Sequence, residues 1–127
     1  MNPYINYFIY SKASSIHGWG VFTKGFLPEG TIIERSAIIT LPVDPHNPVS
    51  LLDDYRFGWP QNKKWNEIVI GLGYASLYNH SVEPNVEWDS DIDSRLLIFK
   101  TIRDIEPEEE LFIFYGDSYS WNNIQIQ

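Results

Sequence analysis

No cysteine occurs among the 127 residues of this chain, which removes disulfides and thiolate metal sites together. Basic residues are scarce as well: nine Lys and Arg stand against 17 Asp and Glu, for a net charge of −8. A protein that grips phosphate backbones does so with Lys and Arg, so nucleic acid is not an expected ligand. An acidic surface attracts a basic protein or peptide, although the same charge also serves simply to keep a chain in solution. Long apolar runs are missing too. None approaches the roughly 18 residues of a membrane span, and Met1-Asn2-Pro3-Tyr4 has neither the basic start nor the apolar stretch of a signal peptide. These absences lead to the expectation of an intracellular, soluble protein with no membrane partner.

Aromatic side chains are plentiful: seven Phe, five Trp and eight Tyr, in a chain that is 43% hydrophobic. That composition excludes a disordered chain, and the length suits one core rather than two. Residues 5–10, 20–23 and the β-branched run 31–40 are strand-prone. Asp44-Pro45-His46-Asn47-Pro48 is turn material, after which Ser50 can cap a short helix over 51–57. Residues 65–70 read as a strand and 72–78 as a helical turn, while 86–88 pairs with 96–102 in a hairpin across an acidic tip at 89–94. The expected fold is mainly β, in many short strands, as a single domain over 1–121 followed by a polar tail at 122–127.

Three segments carry chemistry. In His17-Gly18-Trp19-Gly20-Val21-Phe22 paired glycines let a ligand approach bare backbone, though Gly-x-Gly before a strand also makes an ordinary tight turn. Neither the dinucleotide nor the P-loop pattern follows it. Asn79-His80-Ser81-Val82-Glu83-Pro84-Asn85 sets an amide, an imidazole and a hydroxyl into one loop, suited to fixing a polar ligand or to satisfying itself. Glu109-Glu110-Leu111-Phe112-Ile113-Phe114-Tyr115-Gly116 reads as a strand ending in Tyr-Gly. Asp89-x-Asp91-x-Asp93 imitates a calcium loop, but Ser94 stands where glycine is needed and Lys100 where a bidentate glutamate is needed. The three histidines, His17, His46 and His80, lack ligand spacing, so no metal is expected. The run Glu106-Pro107-Glu108-Glu109-Glu110 reads as a solvated turn.

In their order, Gly-Trp-Gly-Val-Phe, Leu27-Pro28-Glu29-Gly30-Thr31, the Asn-His-Ser-x-x-Pro-Asn loop and Glu-Glu-Leu-x-x-x-Tyr-Gly resemble the SET-domain protein-lysine methyltransferases, over about residues 6–121. The likeness is greatest to the minimal chlorella-virus members of that family, which methylate histone H3. It implies the SET fold: short twisted strands in several small sheets, one or two short helices, and a C-terminal pseudoknot that brings the Asn79 loop beside Tyr115. It implies S-adenosylmethionine as cofactor, released as S-adenosylhomocysteine. Backbone around Gly18, Trp19 and Gly20 would contact it, Asn79 would hold its methionine end and the main chain of His80 its adenine, with Tyr115, Tyr119 and Trp121 completing the pocket. Tyr115 is the implied catalytic residue, and Tyr55, Tyr74, Trp88 and Ile113 form the implied substrate side. The implied partner is a basic protein, a histone H3 tail first, in the nucleus of a host or eukaryotic cell, and likeness to the viral members adds a homodimer.

The chain also departs from the family pattern. Ser76, Leu77 and Tyr78 stand where many members carry Arg-Phe-x, so an arginine contact to the cofactor is absent. Lack of cysteine removes the zinc-binding segment of many eukaryotic members and leaves channel closure to Tyr119, Trp121 and the tail, with Ser120 as an extra residue between them. Ile113 occupies a position where the family often has Phe or Tyr, which leaves room for di- or trimethylation. A SET-fold module that binds a peptide without catalysis is the alternative reading; retention of Asn79, His80 and Tyr115 speaks against it.

Overall fold

The computed structural model describes residues 2–16, 18–40, 56–59 and 67–114. The β-branched and aromatic runs form strands: β1 (Tyr4–Ile5), β2 (Ile9–Ala13), β3 (Trp19–Thr23), β4 (Ile32–Thr40), β5 (Arg56–Trp59), β6 (Glu67–Gly71), β7 (Asn79–His80), β8 (Val86–Asp91), β9 (Leu96–Thr101) and β10 (Glu110–Ile113). One turn of 3-10 helix, Ala75–Leu77, precedes β7. Among the described residues no helix is long and apolar enough to cross a membrane.

The larger sheet runs β5-β6-β4-β9-β8, with β1 also on β4. β4 is its spine, pairing β9 along 32–37, β6 along 38–40 and β1 at Glu34 and Arg35. Between Ile32 and Glu34 the register against β9 slips by a residue. Such a bulge breaks the two-residue alternation of a strand, and Ile33 and Glu34 are consequently both fully buried.

The smaller sheet runs β2-β3-β10-β7. β10 lies antiparallel to β3, with Glu110 opposite Phe22, and parallel to β7, with Phe112 opposite Asn79 and Ile113 opposite His80. A parallel pair requires a crossover, which the β8–β9 hairpin supplies. Asn85, at 2% exposure, extends this short pairing with its side chain: Oδ1 accepts from the Phe112 N–H at 2.7 Å and Nδ2 donates to the Glu110 carbonyl at 2.9 Å. Its own main chain bonds Phe112 and Ile102. The amide thus does for β10 what a further strand residue would do.

The core includes a row of rings. Tyr78 stacks on Phe99 at 4.6 Å, Phe99 meets Phe57 edge-on at 6.2 Å and Phe57 meets Trp88 edge-on at 4.9 Å; each such pair contributes about 0.5–1.5 kcal/mol beyond its buried area. Gly71 lets the 3-10 turn sit against the sheet, since a Cβ there would run into Ala75 and come within 2.9 Å of Leu97.

Most expected elements are present, and four boundaries differ. Arg56 and Phe57 lie on β5 rather than ending a helix over 51–57, because Phe57 is buried between Trp88 and Phe99; the rest of that segment, and the turn at 44–48, lie outside the described residues. The hairpin tip is shorter, since β8 continues to Asp91 opposite Leu96 and the turn is 92–95, with Arg95 at φ 54°. Residues 5–10 split into two strands at a turn where Asn6 Oδ1 accepts from the Phe8 N–H at 2.8 Å. Asn79 and His80 are strand rather than loop, held by β10.

Asn85→Ala leaves one partly buried N–H and one partly buried carbonyl of β10 without that partner, where a buried group left unpaired costs about 1–3 kcal/mol. A loss of at least about 2 kcal/mol in chemical denaturation is expected; a loss below about 0.5 kcal/mol would show that β10 is held without the amide.

Candidate functional site

β3, β10 and β7 lie side by side and carry the motif segments to one place. Gly18, at φ +49°, turns the chain into β3, and its carbonyl accepts from the Ser14 N–H at 2.7 Å. The next carbonyl, of Trp19, accepts from Asn79 Nδ2 at 3.4 Å. That same amide donates to Glu110 Oε2 at 2.8 Å, and Ser14 Oγ donates to Glu110 Oε1 at 2.8 Å. Gly20 lies directly against this carboxylate, so that a Cβ on it would collide with Glu110 Oε2. The bare backbone that the sequence offers at Gly20 is therefore met by a side chain of the protein itself. Asn79 is only 6% exposed, whereas Trp19, whose carbonyl it meets, is 62% exposed.

His80 follows on the outermost strand of the sheet, its ring 5.2 Å from that of Phe114. Burial lowers its pKa below the ordinary 6.5, which favours a neutral imidazole at physiological pH. Trp88 reaches β10 from the hairpin: its indole N–H donates to the Phe114 carbonyl at 3.1 Å, one residue before Tyr115. Ile113 is fully buried within the core. Tyr74, half-buried, donates its N–H to Glu34 Oε2 at 2.8 Å, and the Tyr78 hydroxyl donates to Glu34 Oε1 at 2.6 Å. Burial raises the Glu34 pKa against the opposing pull of these two donors, and burial with the neighbouring Glu34 charge pushes the Tyr78 hydroxyl well up.

The structure thus brings Gly18, Trp19, Gly20, Asn79 and His80 together and ties Tyr74 and Trp88 to the same framework, while Tyr55, Tyr115, Tyr119 and Trp121 lie outside the described residues. Two carboxylates escape sequence reasoning. Glu110 sits in the acidic run read as solvent-facing, yet it is the first residue of β10 and alternates with buried Leu111 and Ile113. Glu34 sits mid-strand, where only the bulge turns it inward. Among the described residues no group of three or more His, Cys, Asp or Glu could hold a metal ion.

This β-fold, with its three convergent segments, defines a SET domain: the SET domain family matches residues 18–116, and the chain belongs to it. It is a protein-lysine methyltransferase. A Schizosaccharomyces pombe relative, the histone-lysine N-methyltransferase specific for H3 lysine-37, is 33% identical over 103 residues, which cover 79% of this chain and 67% of the relative. A solved Plasmodium falciparum structure described as a proposed histone methyltransferase aligns with a TM-score of 0.70 at 28% identity, covering 91% of this chain and 98% of that one.

Because the folded pKa of Glu34 lies above the ordinary 4.5, the folded state binds this proton more tightly than the unfolded state. The resulting stabilisation is complete below about 4.5 and is lost as pH rises through the folded value. Thermal melts across this range should therefore show Glu34→Gln gaining on the wild type as pH rises above 4.5, then levelling. A difference in melting temperature that stays constant with pH would mean that the carboxyl titrates at its ordinary value.

Proposed function

We propose that this chain transfers a methyl group from S-adenosylmethionine to the side-chain amine of a lysine in a basic protein, with a histone H3 tail as the first substrate. The observation that carries the reading is the convergence of the Trp19 carbonyl, the Asn79 amide and the Glu110 carboxylate, a donor and acceptor set that fits the amino-acid end of that cofactor. The main chain at His80, on the outer strand, is suited to an adenine edge, and Gly18, Trp19 and Gly20 to contact through backbone. Tyr115, Tyr119 and Trp121 complete the pocket in this reading. When bound, the cofactor supplies a methyl group activated on a sulfonium.

The chain's own residues must then hold a neutral amine in line. Free lysine has a pKa of about 10.4, and an aromatic channel of low dielectric lowers it, so no dedicated general base is required. Tyr115 is the catalytic residue here: its hydroxyl orients the amine lone pair, and alignment of this kind contributes up to about 7–11 kcal/mol in ideal cases. The Trp88 bond to the Phe114 carbonyl steadies the chain immediately ahead of it. In this reading faces of Tyr55, Tyr74, Trp88 and Trp121 would line the lysine path, each cation–π contact to the methylated ammonium product contributing about 0.5–2 kcal/mol. Aliphatic Ile113, two residues before Tyr115, suits more than one round of methylation. A net charge of −8 favours a basic tail, and the S. pombe relative acts on H3. A histone substrate carries with it a nuclear site of action. The homodimer rests on the viral likeness alone.

Incubation with methyl-labelled S-adenosylmethionine, core histones and a cell lysate provides the test. Label on histone H3, reduced at least about tenfold in Tyr115→Phe, is the expected result. Label on another basic protein would move the substrate and keep the chemistry; cofactor binding in a calorimetric titration with no protein labelled would mean that the substrate was missing from the mixture, and no cofactor binding would leave a binding module.

A further inference from the structure

Glu110 has a setting unlike that of the acidic run it ends. Oε1 accepts from Ser14 Oγ and Oε2 from Asn79 Nδ2, both at 2.8 Å, and both donors are neutral. The neighbouring Glu109 takes Arg103 at 3.1 Å and Glu87 takes Lys100 at 3.5 Å, but no ion pair joins Glu110 to a cation among the described residues. A further acceptor, the Trp19 carbonyl, shares the Asn79 amide with Oε2. One carboxylate oxygen and a carbonyl thus share one amide, with the second carboxylate oxygen held by Ser14, in a half-buried corner. Removing a carboxylate from water without an opposing charge is costly, and what completes such a corner is a small cation with several N–H donors. A primary ammonium is that group.

We propose that Glu110 is the counter-ion of the α-ammonium at the methionine end of the cofactor, accepting from it alongside the Trp19 carbonyl, and that this makes it the residue selecting an amino-acid-bearing nucleoside over one without the amine. The inference rests on the S-adenosylmethionine reading above. In this role the bonds from Ser14 and Asn79 hold the carboxylate in position before the ligand arrives, which reduces the ordering cost of binding. The missing Cβ at Gly20 is what admits the carboxylate to that position. Were Glu110 only a support for Asn79, acceptor oxygens would suffice and its charge would be idle.

Glu110→Gln keeps the size and an acceptor oxygen but removes the charge. Calorimetric titration with S-adenosylhomocysteine, and with its analogue carrying hydrogen in place of the α-amine, reads the difference without turnover. Wild type should bind the des-amino analogue at least tenfold more weakly. Glu110→Gln should bind S-adenosylhomocysteine at least tenfold more weakly than wild type, and removal of the amine should then cost it less than threefold, its thermal melt showing a folded protein. An equal penalty for amine removal in both proteins would make Glu110 a support only, overturning the proposal while leaving the cofactor reading intact. Equal affinity of wild type for the two nucleosides overturns it without recourse to a variant. If wild type binds neither nucleoside, the cofactor reading fails and this inference with it.

Discussion

A two-residue parallel pairing, Asn79–His80 against Phe112 and Ile113, is what allows three distant segments to share one site. Without it β10 would have only β3 as a neighbour, and the Asn79 amide would have no reason to reach both the Trp19 carbonyl and Glu110. Two ladder residues are a weak hold in themselves. The extra bonds from Asn85 to 110 and 112, and from the Trp88 indole to Phe114, turn a marginal contact into a fixed one. Side-chain amides and an indole N–H here take over work that longer strands do with backbone alone.

A second anchor acts from the larger sheet. The bulge at Ile33 directs Glu34 inward, where its carboxylate takes the Tyr74 N–H and the Tyr78 hydroxyl and so fixes both ends of the turn that delivers Asn79. Burying the carboxylate is unfavourable, and two short hydrogen bonds offset part of that cost. The stack of Tyr78 on Phe99 extends the hold into the core. The site is consequently framed by both sheets, although its polar groups come from one.

Much of this was legible in the residues. The β-branched run at 31–40, the hairpin and the turn at 72–78 declare themselves by composition and periodicity, and the order of motifs declares the family. Asn79, His80 and the Gly18-Trp19-Gly20 segment were singled out and do come together. What was not legible depends on register. Nothing in the string shows that Ile33 is the extra residue of a bulge, so Glu34 passes for an ordinary solvent-facing position. Glu110 hides in a charged run because composition cannot say where the turn ends and the strand begins. The pairing of Asn79 and His80 with a strand thirty positions on is invisible to any local pattern, which is why they resemble a loop. Phe57 was misplaced for a related reason: its helix-compatible neighbourhood carries no trace of Phe99 and Trp88, the rings that hold it in β5.

The central position of β10 also bears on how the molecule is made. Its partners are far away in the chain, 96 residues for the contact of Ser14 with Glu110, so the closing of its ladder is a long-range event of the kind that slows folding. A growing chain emerging from the ribosome presents β3 long before β10 exists, and during that interval a hydrogen-bonding edge stands open to any other extended segment. The strand that assembles the pocket is therefore also the one that seals the fold, and nascent chains interrupted short of residue 110 would be both ligand-blind and prone to stick.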